Sequence, residues 1–160
     1  MATRTNIGLD GVSLEAWRGY LLSHAAITRQ LDADLVTLHG ITARDYEAML
    51  FLAHEPERNM PMSELADRTM LTRSGATRLV DGLAKIGLVE RVACAKDARV
   101  SYAQLTDAGL KRLREASRTH AEGIRLTFLR HFTEDEVAQL AELLGRLPGV
   151  DDDAPSCTVE

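Results

Sequence analysis

Cysteine is nearly absent: Cys94 and Cys157 are the two in 160 residues. Two thiols cannot build the disulfide framework of a secreted domain, so a reduced, cytoplasmic chain is expected. No run of about 18 apolar residues occurs, which excludes a membrane-spanning helix from the expectation. Residues 1–13 are polar with scattered apolar positions and lack the apolar core of a signal peptide. A Gly-rich phosphate loop, a His-Glu-x-x-His pair and a nucleophile elbow are also missing. The five histidines, at 24, 39, 54, 120 and 131, do not fall in i,i+4 pairs. No catalytic residue, cofactor or metal-ligand set is therefore expected, and the chain is not read as an enzyme.

What the sequence does contain is an uneven distribution of charge. The net charge is −5 at pH 7. Residues 68–118 nevertheless hold 11 basic and 5 acidic side chains, a local +6, against 8 basic and 19 acidic elsewhere, a local −11. A basic zone inside an acidic protein is the electrostatic footprint expected of a phosphate-binding face.

Periodicity predicts a mainly α chain with one small β-hairpin. Ser13 is positioned to cap a helix over residues 14–38, with Leu14, Trp17, Leu21, Ala25, Thr28, Leu31, Leu35 and Leu38 at steps of three or four. Gly40 ends it. Thr42 and Asp45 form a capping-box-like start for a helix over residues 43–54, which Pro56 closes. Met60 to Met62 suits one brief strand. Ser63 is placed to cap a short helix over residues 64–69. Thr72 caps the next, over residues 73–86, whose inner stripe is Ala76, Leu79, Val80, Leu83 and Ile86. Its outer face carries Arg73, Ser74, Thr77 and Arg78. Two short helices joined this way, the second with a basic, hydroxyl-bearing outer face, form a helix-turn-helix pattern. Residues 88–92 and 100–105 read as strands around a polar loop containing Cys94, Asp97 and Arg99, which makes a wing. Thr106 caps a long helix over residues 107–130. Thr133 and Glu136 form a full capping box for a last helix ending near Leu147, before Pro148-Gly149. Residues 148–160 read as an acidic tail, and residues 1–13 as a flexible N-terminus.

Residues 62–109 resemble the MarR family of bacterial regulators. The resemblance lies in Ser63-Glu64-Leu65-Ala66, in Leu71-Thr72-Arg73-Ser74-Gly75-Ala76-Thr77-Arg78-Leu79-Val80-Asp81, in Gly87-Leu88-Val89, and in Asp97-Ala98-Arg99 with Leu105-Thr106-Asp107-Ala108-Gly109. Ala98 departs from the pattern, because many members carry a second basic residue there. The resemblance implies a winged helix-turn-helix with long dimerisation helices. Residues 14–41 and 107–147 would form the helical dimerisation region, and residues 42–106 the DNA-binding lobe. It further implies a homodimer on a pseudo-palindromic duplex operator, the recognition helices entering successive major grooves about 34 Å apart.

Thr72, Arg73, Ser74, Thr77, Arg78, Asp97 and Arg99 are the expected DNA-binding residues. Arg73 and Arg78 suit either guanine edges or phosphate, and Thr77's methyl suits thymine. Arg99 resembles the family's minor-groove arginine, held by Asp97. A repressor released by a small-molecule effector is the implied function, with Trp17, Tyr20, His24 and Tyr46 as the effector pocket. Three rival readings stay open: a winged-helix module that binds protein, a metal-sensing regulator using His39 and His120, and a thiol sensor using Cys94.

Overall fold

Asp10 begins the first helix, α1 (Gly11–His39), by accepting the Ser13 backbone N–H at 2.8 Å. The start therefore lies three residues before the expected cap at Ser13. Gly40 ends α1 with φ +68°, a left-handed conformation that costs glycine nothing. The computed structural model describes residue 8, residues 10–93 and residues 100–148.

The complete Thr42–Asp45 capping box starts α2 (Ala43–His54). A short strand β1 (Asn59–Pro61) leads directly into α3 (Met62–Arg68). Pro61 occupies the cap position of α3 and makes no side-chain cap bond, so Ser63 is not the cap that the sequence suggests. Helix α4 (Arg73–Lys85) follows, then β2 (Val89–Ala93), β3 (Ser101–Leu105) and α5 (Asp107–Thr127). A single 3-10 turn, Leu129–His131, breaks the long helix expected to run to residue 130. The last helix, α6 (Glu134–Leu144), starts on the expected Thr133–Glu136 capping box.

The wing strands belong to a three-stranded antiparallel sheet of order β1-β3-β2. Met60 lies opposite Ala103, and Val89 opposite Leu105. The core gathers below this sheet, where Met49, Leu52, Met60, Leu65, Val80, Leu83, Val89 and Leu113 are buried. One face of α5 closes it, through Leu113 and Ala116. Further along, α5 lies against α1 so closely that a Cβ on Gly123 would stand 2.5 Å from Leu31 Cδ2.

The two ends of the chain remain open. Val12, Leu14, Trp17, Tyr20, Leu21 and Leu22 on α1 are exposed, as are Leu126, Phe132, Leu143 and Leu147. Helix α6 buries no residue at all. An 11-residue helix is too short to persist in water without tertiary packing. Among the described residues, no helix is long and apolar enough to cross a membrane.

Candidate nucleic-acid interface

The turn between α3 and α4 is set by a few hydrogen bonds. Buried Thr69 donates its hydroxyl to Leu65 O at 2.6 Å, and Leu71 N–H reaches Ala66 O at 2.9 Å. Met70 takes φ +52° to make the bend and is almost fully exposed. From α2, Arg44 donates to Thr69 O at 3.2 Å and ties down the same turn. No sequence signal announces Arg44, because its partner lies 25 residues away.

Thr72 then caps α4 by accepting Gly75 N–H at 3.1 Å. Its hydroxyl also lies 3.2 Å from Ser74 Oγ. Ala76, Val80 and Leu83 face the core. Leu79 is half-buried, whereas Ile86, expected on the same stripe, is exposed, because α4 ends at Lys85 and Ile86 falls on its C-cap. The helical repeat turns positions 73, 74, 77 and 78 to one outward face. Thr72, Arg73, Ser74 and Arg78 are exposed and Thr77 is half-buried. Among the described residues, neither Arg73 nor Arg78 has an ion-pair partner. Asp81, one turn further, pairs with Arg91 of β2 at 3.0 Å and so joins α4 to the sheet.

Three-dimensional pairing thins the basic zone counted in the sequence. Arg68 is held by Glu64 at 3.1 Å and Glu55 at 3.6 Å, over the ring of Phe51. Arg91 is engaged by Asp81, and Arg112 donates to the His39 carbonyl. The cationic face of α4 is therefore narrower than the local +6 implies. Cys94, Asp97 and Arg99 lie outside the described residues.

The aromatic residues form two groups. On α1, Trp17, Tyr20 and His24 stack in an exposed ladder, with centroids 6.0 and 6.2 Å apart. Tyr46 is buried at the seam between α2 and α5, its ring 4.9 Å from His120 and its hydroxyl 3.2 Å from Ser117 Oγ. Burial holds the His120 pKa below its ordinary value, and its Nδ1 has no hydrogen-bond partner among the described residues. His39 Nε2 bonds Thr119 Oγ1 at 2.7 Å. Among the described residues, no three His, Cys, Asp or Glu side chains gather as a metal site.

The sequence profile of the MarR family matches residues 39–100. AbsC, a MarR family transcriptional regulator from Streptomyces coelicolor, is 30% identical with a TM-score of 0.77, over 86% of this chain and 92% of that one. Sco3205 of the same organism, solved in complex with DNA, is 29% identical with a TM-score of 0.78, over 92% of this chain and 95% of that one. The HTH-type transcriptional regulator MhqR of Bacillus subtilis (strain 168) is 28% identical over 109 residues, 68% of this chain and 73% of MhqR. With its capped outward-facing α4, its three-stranded wing sheet and these likenesses, the chain belongs to the MarR family of transcriptional regulators, which are not enzymes.

Proposed function

We propose that this regulator works as a homodimer that binds a pseudo-palindromic duplex operator and represses by occupying it. The observation that carries this reading is the outer face of α4, where Arg73, Ser74 and Arg78 stand exposed, the two arginines without an ion-pair partner among the described residues. Guanidinium groups of this kind suit guanine O6/N7 or phosphate oxygens, and the hydroxyls suit either. The first turn of α4 adds backbone N–H groups that favour a phosphate. Sco3205, solved with DNA, supports a nucleic-acid partner.

Dimerisation is supported by the apolar residues that one copy leaves uncovered on α1 and α6. Burying them against a second copy is favourable at about 25 cal/mol per Å² of apolar surface. Asp97 and Arg99 belong to this reading as the wing-tip contact, on the sequence pattern alone. Release by a small-molecule effector belongs to it too, with Trp17, Tyr20, His24 and Tyr46 as its lining. Within one copy the exposed ring ladder on α1 and the buried Tyr46–His120 pair are separate groups, so their assignment to one lining rests on the family resemblance.

The test is operator affinity against salt, with a sequence selected from random duplex DNA. If each subunit of a dimer neutralises two phosphates through Arg73 and Arg78, log K falls against log salt with a slope of roughly −3.6. Affinity then drops about 150-fold between 50 and 200 mM salt. A flat response, or no selected sequence, overturns the proposal and favours the protein-binding module.

A further inference from the structure

We infer that Thr106 is a positioning residue that fixes the separation of the two recognition helices, and hence the half-site spacing the dimer accepts. The inference rests on the operator-binding reading above and names a residue that touches no DNA in it.

Thr106 joins β3 to α5 and ties two helices together. Its Oγ1 accepts Gly109 N–H at 2.9 Å, capping α5. The same hydroxyl has one proton to donate and two carbonyls in reach, Gly87 O at 2.8 Å and Leu88 O at 3.1 Å. Its backbone N–H also reaches Leu88 O at 3.1 Å. Gly87 and Leu88 form the exit of α4: Gly87 turns the chain at φ +74°, and Leu88 N–H closes on Leu83 O at 3.0 Å. The contact is tight, since a Cβ on Gly109 would stand 2.0 Å from Leu88 O. The first turn of α5 therefore sits directly on the end of the recognition helix.

The other end of α5 belongs to the open apolar region. Gly123 lies against Leu31 of α1, and Leu126 and Phe132 beyond it are exposed. Helix α5 has 21 residues and spans roughly 30 Å. A pivot of about 10° at one end of such a rod moves the other end by roughly 5 Å, more than the 3.4 Å rise of one base pair. Small freedom at the Thr106 clasp would thus be large at the operator. The β2–β3 ladder also holds Val89 opposite Leu105, so the hydroxyl must add constraint beyond the hairpin.

Three variants separate its contributions. Thr106→Val keeps the branched shape and removes the hydroxyl. Thr106→Asp keeps a capping oxygen for Gly109 N–H but, ionised, has no proton for Gly87 O or Leu88 O. Thr106→Ser keeps both functions. Each is compared with the parent on operators whose half-sites are moved one base pair closer or further apart, which also rotates them by roughly 34°. Dimer mass and circular dichroism are recorded for each.

The parent is expected to disfavour the altered spacings by at least about tenfold, the scale of a disrupted base contact. Thr106→Val and Thr106→Asp should reduce that preference to below about threefold while keeping the parent's base preference within each half-site. Thr106→Ser should retain both preferences. If Thr106→Asp, the variant with its helix cap intact, keeps the parent's spacing preference, the inference is overturned. It is equally overturned if spacing and base preference decline together, which is the mark of general loosening. A parent that selects no operator removes the operator-binding reading itself, and the inference with it.

Discussion

Gly109 and Gly82 receive the same substitution in helices of the same chain, and the structure gives the two changes opposite signs. At Gly109 an added Cβ would stand 2.0 Å from Leu88 O and 2.7 Å from Leu105 Cδ1. A carbon–oxygen contact needs roughly 3.3 Å, so α5 and the α4 exit must separate by more than about 1 Å. That separation stretches the Thr106 N–H to Leu88 O bond beyond its 3.1 Å and disturbs the hydroxyl clasp beside it. Each hydrogen bond weakened contributes about 0.5–1.5 kcal/mol, and forced overpacking adds about 1–3 kcal/mol. Alanine's better helix propensity returns about 1 kcal/mol. The net expectation for Gly109→Ala is a loss of about 1–5 kcal/mol. Gly82 lies inside α4 on the exposed side, and a Cβ added there would meet nothing within 4 Å. There the propensity gain stands alone, so Gly82→Ala should stabilise by about 0.5–1 kcal/mol. Urea unfolding at one fixed protomer concentration measures both, because dimer stability depends on concentration. Two variants that both stabilise, or a Gly109→Ala midpoint equal to the parent's, would show that the close approach at Leu88 is not a real constraint.

His120 should make the fold acid-sensitive. Its folded-state pKa is depressed by burial from 6.5, so the unfolded chain binds more protons, and stability falls as pH drops below 6.5, levelling off under the folded value. Replacing the imidazole by His120→Phe should flatten the melting temperature's dependence on pH below 6.5, and an unchanged slope would assign the acid sensitivity elsewhere. Leu140→Asp, on the half-buried side of α6, should give dissociation or aggregation in light scattering, because an unpaired charge at an apolar contact is costly. A stable dimer in that variant would remove α6 from the interface.

Local chemistry was the legible part of this sequence. Thr42 with Asp45, and Thr133 with Glu136, announce their helices because a capping box is complete within four residues. The recognition helix was equally plain: Thr72 caps it, and Ala76, Val80 and Leu83 keep helical spacing. Where two cap-competent residues compete, position cannot be read. Asp10 captures Ser13 N–H and starts α1 early, leaving Ser13 inside the helix. Long-range pairing was hidden as well. Arg68, Arg91 and Arg112 look like free cations in a string of residues, yet Glu55, Asp81 and the His39 carbonyl engage them. Thr106 was legible as a cap of α5, but its bond to Leu88 spans 18 residues and exists only once the sheet has formed. The brief strand at Met60 likewise bore no sign that it would pair with Ala103 and turn the hairpin into a three-stranded sheet.

The central claim is that the outer face of α4 reads duplex DNA. The most direct measurement is the binding profile of Arg73→Ala and Arg78→Ala on the selected operator and on every single-base variant of one half-site. The account predicts that at least one of them loses about 1–3 kcal/mol of preference concentrated at one position in each half-site. An arginine that instead grips phosphate should weaken all sequences alike and reduce the salt slope by about one unit per subunit. Both variants should remain folded dimers, because neither side chain has an ion-pair partner among the described residues. If both bind every sequence as the parent does, with an unchanged salt slope, the α4 face is not the DNA-reading surface and the account fails.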